Sequence, residues 1–163
     1  MHSFTSLQDF ILTNCPKVRC FPEGGLPMNL ISVYFYGLNI EQPFKEWKLH
    51  NLNSLQKLSV SDVGYSSNSI HSFPDDDDHC LPSSLNGLAI SGFLNLKSIS
   101  FLGIPNLTSL SIRRCPKLKY FVDECLPSGL RDLVVVQCPL LKHQMEKDPL
   151  RRKLSCITHL HIC

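Results

Sequence analysis

The chain has 163 residues, of which 43% are hydrophobic and 18% are charged, and its formal net charge is +2. This length suits a single domain, the composition excludes wholesale disorder, and the small net charge argues against dedicated nucleic-acid binding. No run of about 18 apolar residues is present to span a membrane. The N-terminus lacks the basic and apolar regions of a secretory signal, so we expect an intracellular protein of the cytoplasm or nucleus.

One spacing of apolar residues recurs along the chain. Each unit begins with an apolar residue and has further apolar residues at positions +3 and +5, and several units add a cysteine at +8. The units begin near residues 7, 30, 55, 85, 107 and 130, and this period in the twenties is typical of leucine-rich repeats. The positions that we expect to define the repeat are Leu7, Leu12, Cys15, Leu85, Leu88, Ile90, Leu107, Leu110, Ile112, Cys115, Leu130, Leu133, Val135 and Cys138.

The spacing also predicts how the units pack. Positions +3 and +5 differ by two, so their side chains point to the same face of a strand, and stacked units bury that face between them. We therefore predict an α/β-type leucine-rich-repeat solenoid of six to seven repeats, forming one domain over residues 1–163. Short parallel strands would line its concave face, and irregular or short helical segments would line its convex face.

Three stretches interrupt the regular pattern. Residues 39–53, which contain Pro43 and Trp47, predict a longer excursion on the convex side with a short helical turn. Residues 64–80 are rich in Ser and end near the acidic run 75–78, which predicts a mobile loop. Residues 142–155 are highly charged, and the apolar pattern then returns in residues 157–163, which we interpret as a final edge strand.

Cysteines and histidines offer candidate chemistry, and each has a simpler interpretation. Cys115 and Cys138 occupy position +8 of consecutive units, where we expect reduced thiols that act as small buried apolar groups. His159, His161 and Cys163 alternate and could share one face of the last strand, but a terminal strand is a poor scaffold for a metal.

The acidic run Asp75–Asp78 could attract a divalent cation, although adjacent carboxylates are more often a solvated loop. The sequence contains no phosphate-binding loop and no motif that links a nucleophile to a base. We therefore predict no catalytic residues, no metal and no cofactor.

The outward strand positions are the better candidates for function. Tyr34 and Tyr36 lie side by side on the outward face of the second predicted strand, and aromatic residues and arginines are enriched at binding anchors. The alternative is that they are ordinary sheet-surface residues, because aromatics have a high strand propensity. The predicted partner-binding residues of the concave face are Tyr34, Tyr36, Lys57, Arg113, Arg131 and Asp132.

Several motifs carry a resemblance to a known family. Leu81-Pro-Ser-Ser-Leu85, Cys115-Pro-Lys-Leu118, Leu126-Pro-Ser-Gly-Leu130 and Cys138-Pro-Leu-Leu-Lys142 resemble the C-terminal leucine-rich repeats of plant intracellular immune receptors. These are the nucleotide-binding, leucine-rich-repeat resistance proteins, most similar to those with an N-terminal coiled coil. The resemblance implies recognition of a pathogen effector or a guarded host protein, and restraint of the nucleotide-binding domain of the full-length receptor. Because this chain lacks that domain and the coiled coil, we expect a fragment of such a receptor.

A second interpretation is a substrate-recognition region of an F-box-type ubiquitin ligase receptor. Cys-x-x-Leu repeats also occur in those proteins, but Leu81-Pro-Ser-Ser-Leu85 argues against this alternative. An F-box sequence upstream would favour it.

Overall fold

Parallel strands stacked in chain order form the main sheet of the protein. The computed structural model describes residues 6–15, 17–18, 25–37, 44–62, 70–74, 81–122, 126–147, 154 and 157–163. Its seven-stranded sheet runs in the order β1 (Asp9–Thr13), β2 (Ser32–Tyr36), β3 (Lys57–Ser61), β5 (Gly87–Ser91), β7 (Ser109–Arg113), β9 (Asp132–Val136) and β10 (His159–Ile162). Each strand pairs in parallel with its neighbours, so the predicted leucine-rich-repeat solenoid is confirmed.

Equivalent residues of successive units face one another across this sheet. Leu110 of β7 is in register with Leu88 of β5 on one side and with Leu133 of β9 on the other. In the fourth to sixth units, the expected repeat positions are at most 2% exposed. Leu7, Leu12 and Cys15 are only half-buried, because β1 has a neighbouring strand on one side alone within the described residues. The core is therefore a stack of apolar layers, one layer for each unit.

A left-handed residue follows most strands of the main sheet and turns the chain towards the convex side. The residues with positive φ at this position are Asn14, Gly37, Gly92, Arg114 and Gln137. Their backbone N–H groups donate to a carbonyl of the next unit, as Gly92 does to Arg113 at 2.9 Å and Arg114 does to Val136 at 2.9 Å. The hydrogen-bond ladder thus extends past the strand ends, and in these units the chain turns towards the convex side at the equivalent position.

The convex side carries a second, smaller parallel sheet. Its strands are β4 (Ser72–Phe73), β6 (Ser98–Ile99) and β8 (Tyr120–Phe121), and they pair in that order. The prediction that all of residues 64–80 form a loop is therefore wrong for β4. The physical reason is Phe73, which is 1% exposed and lies in register with the fully buried Ile99. The acidic run 75–78 lies outside the described residues.

Short helices complete the convex side of other units. Two 3-10 helices, Phe44–Trp47 and Leu49–Asn51, lie within the excursion where the sequence predicted a helical turn. Trp47 is 4% exposed and packs edge-on against Phe35, with ring centroids 5.3 Å apart. The α-helix α1 (Pro139–Lys147) follows β9, and it buries Leu141 and Met145, four residues apart on one helical face.

Candidate functional site on the concave face

The in-register pairing aligns the outward side chains of the seven strands into three rows, which together form the concave face. Each row takes one side chain from each unit, and neighbouring side chains lie on strands roughly 4.8 Å apart. The first row is Asp9, Ser32, Lys57, Gly87, Ser109, Asp132 and His159. The second row is Ile11, Tyr34, Ser59, Ala89, Ser111, Val134 and His161. The third row includes Thr13, Tyr36, Ser61, Ser91, Arg113 and Val136.

The two tyrosines of β2 form a stacked pair on this face. Their ring centroids lie 6.4 Å apart with 13° between the ring planes, and Tyr36 is 38% exposed. The Ser59 hydroxyl donates a hydrogen bond to the Tyr36 hydroxyl at 3.3 Å, which links the pair to β3. Rings held in this way lose little conformational freedom when a partner covers them, so the pair is a preorganised aromatic platform.

Small side chains fill the centre of the concave face beside the tyrosines. Across β3, β5 and β7 the outward residues, apart from Lys57 and Arg113, are Ser59, Ser61, Gly87, Ala89, Ser91, Ser109 and Ser111. Two strand spacings make this region roughly 10 Å wide between the axes of β3 and β7. The result is a shallow trough, with the aromatic platform along one side and Arg113 along the other.

The charged residues predicted to bind a partner are spread over the concave face and do not converge on one point. Lys57 is exposed on β3, and Arg113 donates from Nε to the Ser111 hydroxyl at 3.2 Å. Asp132 lies 2.7 Å from His159, measured from Oδ1 to Nδ1. Arg113 is three strands away from the tyrosines, roughly 14 Å, so these side chains do not form one compact pocket. A macromolecular partner could contact the whole set.

Arg131 lies just before the concave strand of its unit. It is exposed, but it precedes β9 and is not one of the outward residues of a strand. Its backbone N–H donates to the Thr108 carbonyl, and its own carbonyl accepts from Thr158 and His159. The residue therefore lies at the N-terminal edge of the sheet, because position +1 falls before the alternation of inward and outward side chains begins.

A polar cleft at that same edge was not predicted from the sequence. Its volume is about 510 Å³, and it opens beside the N-terminal ends of the first strands. Its lining is uncharged and consists of Gln8, Asn29, Ile31, Asn53, Ser54, Gln56, Ser84 and Asn86. The signal that could have revealed it is the recurrence of amide side chains at position +1, in Gln8, Gln56 and Asn86.

Among the described residues, the possible metal ligands and the cysteines do not form a metal-binding or reactive site. His159 and His161 are exposed on one face of β10, yet no three His, Cys, Asp or Glu side chains of the described ranges are arranged to hold a metal ion. Cys115 and Cys138 are free and buried. A hydrogen bond with the Cys138 sulfur, together with burial, raises the pKa of the Cys115 thiol, so that this group stays protonated. No helix in the described part of the chain is long and apolar enough to cross a membrane.

The chain is similar to part of a much longer plant protein. It is 32% identical over 162 residues to a protein of Arabidopsis thaliana named "Putative disease resistance protein". The match covers 83% of this chain, and the chain spans 11% of the length of that relative. No model of a known protein family and no solved structure matches this chain. The matched relative and the solenoid therefore support a disease-resistance-like repeat protein.

Proposed function

From the premise that this chain is a disease-resistance-like repeat solenoid, we propose that it is the recognition module of a plant intracellular immune receptor. The concave face binds a pathogen effector or a guarded host protein. In the full-length receptor, the same repeats restrain a nucleotide-binding domain, and the receptor is of the type with an N-terminal coiled coil. The chain itself performs no catalysis, and its contribution is a surface of defined shape.

The stacked pair of Tyr34 and Tyr36 is the observation that carries this proposal. Large aromatic side chains on a sheet face add little to the stability of the solenoid when they point away from its core, whereas they are favoured as anchors in protein interfaces. The trough of small residues beside the pair allows a partner backbone to approach the sheet closely. Such a combination suits a protruding element of a folded protein better than it suits a small molecule.

Replacement of both tyrosines should weaken binding without unfolding the solenoid. We expect the Tyr34→Ala/Tyr36→Ala variant to lose more than about 1 kcal/mol of binding free energy, roughly a fivefold increase in Kd, because two anchors are removed. Candidate partners found by proximity labelling in plant tissue would be purified and titrated calorimetrically against each variant. A thermal melt of each variant would verify that the fold is intact.

Tyr120 provides a matched control for this experiment. It is 49% exposed, but it lies on β8 of the convex sheet, so Tyr120→Ala removes a tyrosine of similar exposure from the opposite side. We expect this variant to bind as the unaltered chain does. Normal binding by the double tyrosine variant would refute the assignment of recognition to the concave face, and weakened binding by Tyr120→Ala would point to the convex side instead.

A further inference from the structure

Positive charge accumulates in one part of the solenoid, where the described residues include few carboxylates. Residues 81–122 contain five lysines and arginines and no aspartate or glutamate. In the following described residues 126–142, Arg131 and Lys142 are accompanied only by Asp132, which already contacts His159. The chain as a whole carries a net charge of only +2, so this concentration is a local feature of the fourth to sixth units.

Three of these cations occupy the same repeat position in consecutive units. Lys97, Lys119 and Lys142 each lie twelve residues after the start of their unit, where the chain passes to the convex side. The backbone N–H of Lys119 donates to the Lys97 carbonyl at 2.9 Å, which stacks the first two directly. Lys117 adds a fourth ammonium group, and its Nζ donates to Asn95 of the preceding unit at 2.6 Å. We call these four residues the lysine edge.

The lysine edge is exposed and uncompensated within the described part of the chain. Lys97, Lys117 and Lys119 are exposed, and Lys142 is half-buried. None of the four forms an ion pair with a described carboxylate. Like charges at neighbouring positions of a solenoid repel one another, so this arrangement slightly opposes folding. A partner of opposite charge would remove that repulsion, and electrostatic complementarity of this kind increases the rate of association and the specificity.

We propose that the lysine edge docks an acidic segment of a protein partner. The Cβ atoms of acidic residues at positions i and i+4 of a helix lie about 5–6 Å apart, which is close to the separation of roughly 4.8 Å between neighbouring units of the sheet. The small net charge of the chain favours a carboxylate-rich protein over a nucleic acid, because nucleic-acid binding usually needs a strongly basic surface.

This surface is separate from the concave face. The lysine edge lies beyond the ends of the concave strands, whereas Tyr34 and Tyr36 lie within β2. Loss of tyrosine-dependent binding and loss of lysine-dependent binding can therefore be measured separately. Failure of either proposal leaves the other standing.

The probe for this proposal is a fluorescein-labelled synthetic polyglutamate peptide, titrated by fluorescence anisotropy at low ionic strength. We expect the full chain to bind it, with an affinity that falls as salt is added. The Lys97→Gln/Lys119→Gln variant should bind about fivefold to tenfold more weakly, because two exposed ionic contacts of modest strength are lost. Circular dichroism melts should show a variant at least as stable as the unaltered chain, because both side chains are exposed and their mutual repulsion is removed.

The charge-matched control is Lys17→Gln/Lys48→Gln. Both lysines are exposed in the first units, away from the lysine edge, so this variant has the same net charge and should bind within about twofold of the unaltered chain. Equal weakening by the two double variants would overturn the proposal, because only the overall charge would then matter. Absence of peptide binding would overturn it too, as would tighter, Lys97- and Lys119-dependent binding of a single-stranded DNA of equal charge.

Discussion

Leu110→Ala should lower the free energy of unfolding by about 2–5 kcal/mol. Leu110 is fully buried, and it is in register with Leu88 and Leu133 of the two flanking units. Truncation removes apolar contacts on both sides and leaves a cavity that the paired strands cannot easily close. Because a solenoid is held together by contacts between nearest neighbours, one such cavity weakens two interfaces at once.

Urea denaturation followed by circular dichroism would measure this loss. The matched control is Ser111→Ala, one residue further along β7, where the side chain points to the concave face. We expect that change to alter the free energy of unfolding by less than about 0.5 kcal/mol. If the two substitutions had equal effects, the assignment of inward and outward positions in this unit would be incorrect.

Gly92→Ala should destabilise the solenoid by about 3 kcal/mol. Gly92 has a φ of +80°, and a Cβ atom built on it would lie 2.0 Å from the Asp62 carbonyl oxygen of the preceding unit. The left-handed conformation costs a residue with a side chain roughly 1–2 kcal/mol, and relief of the clash requires the backbone of two units to separate, at about 1–3 kcal/mol. Separation of the units also weakens the hydrogen bond between the Asp62 N–H and the Ser91 carbonyl, which is 2.9 Å long.

Gly87→Ala is the control for the glycine substitution. At Gly87 the nearest atom to an added Cβ is Lys57 Cγ at 3.5 Å, an ordinary contact with a flexible side chain, and φ is not positive. We expect a change of less than about 1 kcal/mol in the same denaturation experiment. A similar decrease in the free energy of unfolding for both glycine substitutions would contradict the close approach of the two units at Gly92.

The sequence was sufficient to predict the main sheet because its pattern is repeated and redundant. The apolar residues at +3 and +5 fix which side chains face inward, and a shift of one residue would expose the whole set. The outward positions of Tyr34 and Tyr36 follow from the same alternation. Their stacking and the hydrogen bond from Ser59 depend on the side-chain conformations and on the register between β2 and β3.

The features that escaped prediction are local ones without a repeated signal. β4 is two residues long, and Phe73 is an isolated apolar residue in a Ser-rich stretch, so tertiary packing against β6 decides its structure. The helix α1 begins at Pro139 and continues into the charged residues 142–155, whose charges concealed Met145, buried one helical turn after Leu141. Arg131 was predicted on the concave face because position +1 of the unit was counted with the strand, whereas β9 begins at the next residue, Asp132.

Site-directed photo-crosslinking would test most directly whether recognition takes place on the concave face. In one variant, a photoreactive amino acid would replace Ser59, beside the tyrosine pair. In a second variant, it would replace Ser100, in the loop after β6 on the convex side. The variants would be irradiated with the partner identified by proximity labelling, and crosslinked peptides would be located by mass spectrometry. We expect crosslinks from position 59 that disappear with Tyr34→Ala/Tyr36→Ala, and none from position 100. Crosslinks from position 100 alone would contradict a concave recognition surface.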